Sequence, residues 1–288
     1  SCAPTRQSTA AARADTMNLH DAALQVLRLR DPADKVRATA DTAARWRAGE
    51  LTLGSDSAAE PLPVPGRPDK PELVAPRALA QRGLGTPAGR AAFLHAVAHI
   101  EFNAINLGWD AVYRFRDMPR GFYDDWVGVA DDEARHFTLL QARLREFGHG
   151  YGDFPAHNGL WDMACLTADD CLTRMALVPR VLEARGLDVT PAMIDKLRHH
   201  SDHASVAALQ IILDEEIGHV AAGSRWYLWC CQQRGLDPAS TFRQLLAEHA
   251  PNALRPPFNI DARRQAGFDD AEVDWLLGYG LPERTPGH

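Results

Sequence analysis

One spacing occurs twice in this chain and limits what it can fold into. Glu101 is followed after 32 positions by Glu133-Ala-Arg-His136, and Glu183 is followed after 33 by Glu216-Ile-Gly-His219. The two sets are offset by 82 residues at the first Glu (101 to 183) and by 83 at the His (136 to 219). A lone Glu and then a Glu-x-x-His, each on its own helix and repeated once, describes two α-hairpins that face each other.

Residues three apart on an α-helix sit about 60° apart on one face, so the Glu and His of each Glu-x-x-His reach the same space. Helical bundles with two-metal carboxylate centres take one Glu from each of two helices and a Glu-x-x-His from each of the other two, all pointing inward. The short motif alone would not carry this reading. With 12 His and as many Glu in 288 residues, fewer than one match is expected by chance, and the chain has three. The third, Glu146-Phe-Gly-His149, lies in a glycine-flanked run that reads as a helix end, and no lone Glu precedes it at the matching distance. The doubled interval is what separates signal from chance.

The six residues Glu101, Glu133, His136, Glu183, Glu216 and His219 are therefore the candidate metal ligands. Around Glu101, the positions that share its face are Leu94, Val97, Ala98, Ala104, Ile105 and Gly108, so this carboxylate is expected in an apolar interior, where a lone charge is costly without a partner. Four carboxylates and two imidazoles suit a pair of iron ions first and manganese second, and zinc less well. Glu133 and Glu216, each beside a His on its own helix, are expected to bridge the ions, with Glu101 and Glu183 terminal. The second ring nitrogen of each His should meet an acceptor that sequence does not identify.

The rest of the chain sets bounds. A length of 288 residues favours one large domain with extensions over two equal ones. The net charge of −7 argues against a globally basic nucleic-acid surface. Five Cys without a C-x-x-C suit a reducing cytoplasm, and no apolar run is long enough to span a bilayer.

Residues 1–16 are small and polar and are expected to be mobile; 17–85 hold two helices broken at Asp31-Pro32 and then a proline-rich strap, with six Pro between Glu60 and Pro76. Residues 86–236 hold the four-helix bundle, opened by Thr86-Pro87 as cap and first residue. Its third helix is expected from Thr167 to Gly186, bent by Pro179, with a separate short helix opening at Thr190-Pro191. Residues 237–288 form a helical extension packed on the bundle. The fold class is thus all-α.

Other polar clusters have plainer readings. Asp131 and Asp132 are rotated away from Glu133 and are expected to be solvated or to support the site from outside it. His95 and His99, like His199, His200 and His203, read as polar surface features, and Cys230-Cys231 as helix packing. Arg114, Arg116 and Arg120 could form a local phosphate-binding patch.

With these residues in view, the chain resembles the ferritin-like superfamily, and more closely a bacterial ferritin-like family of unknown function. The resemblance rests on His99-Ile-Glu101-Phe-Asn-Ala-Ile105, Asp132-Glu133-Ala-Arg-His136, Leu182-Glu183-Ala-Arg-Gly-Leu-Asp188, Glu216-Ile-Gly-His219-Val and Pro256-Pro-Phe-Asn259, and it covers most of residues 18–280. It implies a ferritin-like four-helix bundle around two metal ions. Within that superfamily an O2-activating oxygenase or oxidase is the leading expectation, acting on a small-molecule or nucleoside substrate with an electron-donor protein. The alternatives are a tRNA-modifying hydroxylase, rubrerythrin-like peroxide reduction, whose usual Cys-rich iron site has no counterpart here, and iron storage. A monomer or dimer is expected.

Overall fold

The computed structural model describes residues 17–54 and 58–279, so the expectation for residues 1–16 lies outside the described residues. The protein is all-α. Helices α1 (Leu19–Arg28) and α2 (Pro32–Arg47) lead into the long pair α3 (Pro87–Arg114) and α4 (Arg120–Glu146). After α5 (Gly159–Leu166), a continuous rod runs through α6 (Cys171–Leu177), a π-helical stretch (Val178–Glu183) and α7 (Ala184–His199). The long α8 (His203–Arg234) follows, and α9 (Pro238–His249), α10 (Ile260–Gln265) and α11 (Asp270–Gly278) complete the described chain. Among the described residues the extended pairing is a single bridge, Leu73 to Ala156.

Local chemistry sets the helix starts. Thr86 accepts from the Gly89 N–H with Pro87 at the first position of α3, and Asp202 accepts from the Ser205 N–H to open α8. Gly235, at φ 63°, ends α8 in the left-handed conformation. Residues 101–113 of α3 are buried on every side, which makes α3 the axis of the molecule, with α1 and α4 packed against it. α3 and α4 approach closely at Gly108, where a Cβ would lie 2.9 Å from that of Ala130. No helix among the described residues is long and apolar enough to cross a membrane.

The proline-rich strap is docked by its backbone. Gly66 N–H donates to Leu27 O at 2.6 Å, Trp161 Nε1 to Pro63 O at 3.1 Å and Val74 N–H to Ala156 O at 2.8 Å.

The rod differs from the expected pair of helices. Thr167 closes α5 instead of opening the third bundle helix, and Asp170 caps α6 by accepting from Leu172 and Thr173 N–H. Pro179 perturbs the helix as expected, and the perturbation takes the form of π-helical turns, one of the known outcomes where the ladder loses a donor. Its ring nests against α8 at Gly223, where a Cβ would fall 2.2 Å from Pro179 Cγ. The helix does not stop at Gly186, and Pro191 lies inside α7. Pro191 cannot donate to the Leu187 carbonyl, and Asn259 Nδ2 donates to that oxygen instead, at 3.1 Å. An element that follows seventy residues later therefore lets the helix continue.

The C-terminal extension grips this same rod. Asp188 receives Arg263 through two bonds, Nε to Oδ1 at 2.9 Å and Nη2 to Oδ2 at 2.6 Å. Arg180, in the π-helical stretch, pairs with Glu272 of α11 and lies over the rings of Tyr227, Phe242 and Phe268.

Candidate metal centre

The four long helical segments each present carboxylates or imidazoles to one interior space. α3 supplies Glu101, α4 supplies Glu133 and His136, the rod supplies Glu183 at the end of its π-helical stretch, and α8 supplies Glu216 and His219. All six are buried, with exposures from 0% for His136 to 9% for Glu216. They form two overlapping groups that could hold a metal ion, one of Glu101, Glu133 and His136, the other of Glu133, Glu216 and His219.

Glu133 is the shared member. Its Oε2 lies 3.1 Å from His136 Nδ1 and its Oε1 lies 3.0 Å from His219 Nδ1. Glu101 Oε2 stands 3.1 Å from His136 Nδ1, and Glu216 Oε2 stands 3.1 Å from His219 Nδ1. Glu183 lies outside both groups but lines the same cavity as Glu101, Glu133 and Glu216, and its buried Oε2 has no hydrogen-bond partner. Such an atom normally has one.

Crowding four carboxylates into a dry space shifts their protonation. Burial, then the charge of Glu133, holds Glu101 well above the ordinary carboxylate range, and burial with the charges of Glu216 and Glu133 does the same to Glu183. Burial would raise Glu133 too, but His219 and the surrounding hydrogen bonds outweigh it and hold it low. Burial opposes charge on His136, yet its bonds to Glu101 and Glu133 prevail and lift it to about 11. The protein's own groups thus compete for positive charge.

The outer nitrogens of the two imidazoles are held crosswise. His136 Nε2 donates to Glu215 Oε2 at 2.7 Å, and His219 Nε2 lies 3.3 Å from Asp132 Oδ2. Arg135 Nη2 joins these two acceptors, at 2.8 Å from Glu215 and 2.7 Å from Asp132. Each acceptor sits immediately before the Glu of one Glu-x-x-His and serves the His of the other. The sequence carried a signal for them, an acidic residue four positions before both His, but the exchange between helices is visible only once α4 and α8 are side by side.

The third Glu-x-x-His is no part of this space, since Glu146 is exposed and paired with Arg143 at the end of α4. The three arginines that could form a phosphate-binding patch each have a partner within the protein, while Arg120 keeps its side chain 59% exposed. Arg114 is bound by buried Asp110, Arg116 lies over Tyr113 and Arg120 lies over Trp46.

His95 and His99 require a correction, because both are buried rather than superficial. His99 Nδ1 meets the Tyr151 hydroxyl at 2.8 Å and its Nε2 meets the His157 carbonyl at 3.0 Å; His95 Nε2 accepts from the Gly152 N–H at 2.9 Å. The loop after α4 covers this face of α3 and shields both imidazoles from water. Desolvation lowers both imidazoles to about 4. In the unfolded chain they titrate near 6.5. Between those values the unfolded state binds more protons, so stability is intact above pH 6.5 and falls as pH drops toward 4, by roughly 3 kcal/mol for the first to protonate. Thermal unfolding followed from pH 7 to 4 should show this loss, and His95→Gln, which keeps an acceptor for Gly152, should remove the His95 share of it and leave that of His99. An unchanged profile in that variant would show that His95 is not responsible.

The comparisons with known proteins fit one family. The family described as "Protein of unknown function (DUF455)" matches residues 28–274. A protein of Haemophilus influenzae, described as an uncharacterized protein, is 50% identical over 216 residues, covering 73% of this chain and 75% of the relative. No solved structure matches the chain. With the match running from the last residue of α1 into α11, this chain belongs to the DUF455 family.

Proposed function

We propose that the chain is a ferritin-like two-metal carboxylate protein whose metal is iron and whose activity is the activation of O2 as an oxidase or oxygenase. The observation that carries this reading is Glu133, which directs one oxygen toward each of two imidazoles at the centre of four helices. Glu101 and His136 would complete one ion, and Glu183, Glu216 and His219 the other. Two divalent cations would balance four carboxylates, and the orphaned Glu183 Oε2 would gain a partner.

Iron held by these residues would supply the electrons for reduction of O2. The protein's part is orientation and exclusion of water. Glu215 and Asp132 hold the Nε2 protons, which leaves each Nδ1 free to bind once its own proton is lost, and Arg135 fixes both acceptors. The aliphatic side chains around the carboxylates keep the space dry.

Protein isolated without added metal should contain about two iron ions per chain by elemental analysis, the complement of such a bundle. Anaerobic loading with Fe(II) followed by O2 should give a transient charge-transfer absorption. Iron bound with no spectral change on exposure to O2 would overturn the oxygen-activating part of the reading and leave metal binding alone.

A further inference from the structure

The carboxylates are one wall of a larger space. A cavity of about 250 Å³ opens from them between α3, the rod and α8. Its walls are three helical stripes. α3 contributes Phe93, Val97, Ile100 and Ala104, flanking Glu101; the rod contributes Leu182, Gly186, Val189 and Met193, flanking Glu183; α8 contributes Leu209, Ile212 and Leu213, one turn before Glu216. These positions recur at three and four residues, so each carboxylate lies on the same helix face as the hydrocarbon that leads to it.

We propose that this cavity binds a small, uncharged aliphatic molecule and places its hydrocarbon against the four carboxylates. For its chemistry the proposal rests on the two-metal reading; for binding it does not. Protein interiors seldom leave voids larger than a water molecule. An apolar cavity of ~150 Å³ already stays dry and admits benzene, and drug-sized sites begin near ~300 Å³, so this one suits a guest of roughly six to ten carbons.

Its aliphatic walls would strip water from a charged head group of either sign drawn into it, and Arg185, which also lines the space, is engaged by the carbonyls of Arg255 and Pro257. The open end lies where Ile100 is 46% exposed and Thr190 and Met193 are half-buried. Thr190 gives that end a hydroxyl, which suits a single neutral polar group trailing the hydrocarbon.

The test uses 1-octanol as the probe, with octanoate and octylammonium as charged counterparts, by titration calorimetry on iron-loaded and on metal-free protein. Octanol should bind both forms, and the two charged probes should bind the metal-free form at least tenfold more weakly than octanol does. Val97→Trp and Met193→Trp, on different walls, should each weaken octanol at least tenfold while retaining the wild-type iron content and helical circular dichroism. The use of two walls guards against one variant failing to fold.

Iron binding without octanol binding would overturn the cavity proposal and leave the metal reading standing. Octanol binding in a protein that takes up no iron would do the reverse. Octanol held equally well by both filled variants, or octanoate bound by the metal-free form as tightly as octanol, would overturn the assignment of this cavity to an uncharged aliphatic guest.

Discussion

Glu133→Ala is expected to reduce bound iron from about two equivalents per chain to nearly none, a larger loss than any other single substitution at the centre. The reason lies in its two oxygens, which face His136 Nδ1 at 3.1 Å and His219 Nδ1 at 3.0 Å. Glu133 alone is shared by the two groups, where the sequence points to Glu216 as a second bridge. Glu101 is grouped with His136 and Glu216 with His219, while Glu183 belongs to neither group and only lines their common cavity. In the proposed arrangement Glu183 stands with Glu216 and His219, whose charges act on it, so Glu183→Ala should cost about one equivalent and leave the ion at Glu101 and His136 in place.

Removing an outer acceptor is a milder change. Asp132→Ala or Glu215→Ala should weaken iron by ~10–100-fold without altering its stoichiometry at saturation. Glu146→Ala, at the Glu-x-x-His that lies outside the centre, provides the control, because its partner is Arg143 and it reaches no other member of the site. Elemental analysis across this series checks the assignment. Two equivalents retained by Glu133→Ala would show that the ions, if bound, sit elsewhere.

The parts of this centre that could be read from the sequence are those set by one helix at a time. Glu133 and His136 share a face because of helix geometry, and Thr86-Pro87 opens α3 because a hydroxyl and a fixed φ suit a helix start. The doubled interval then linked two such hairpins. What could not be read depends on neighbours from distant segments. His99 is buried because Tyr151 and the His157 carbonyl come to it from more than fifty residues away, and nothing in the α3 sequence announces them. The crosswise pairing of Asp132 and Glu215 is of the same kind.

The rod shows a stronger form of the problem. Gly186 and Pro191 are local signals to stop, and read locally they were given their usual weight. They are overridden because Leu187, Ile194 and Leu197 are buried and because Asn259 supplies the bond that Pro191 withholds. The Pro256-Pro-Phe-Asn259 run, whose purpose was not legible in sequence, is thereby placed against the rod. Arg185 Nη1 donates to the carbonyl of Arg255, just before that run, and to that of Pro257 within it, at 2.5 and 3.2 Å.

Asp188→Ala should consequently be among the most damaging changes remote from the carboxylates. It leaves the guanidinium of Arg263, whose side chain is 1% exposed, buried without its counter-charge, and breaking a buried pair from one side costs about 3–5 kcal/mol. It also removes the acceptor of the Asn259 N–H, 2.9 Å from Asp188 Oδ1, and so loosens the residue that satisfies Leu187. Urea unfolding should show the midpoint falling with little change in slope. The double variant Asp188→Leu with Arg263→Met, which buries no charge, should recover most of the loss, since well-packed apolar replacements of buried ion pairs are often neutral. A destabilisation below ~1 kcal/mol for Asp188→Ala would place the pair in the range of exposed ion pairs and refute this role. Because Asp188 lies five positions beyond Glu183 on the same helix, the single variant should also weaken iron on the Glu183 side before the Glu101 side. That order of loss is expected if the extension holds the rod in place, and an extension that merely covered the bundle would leave both ions equally bound.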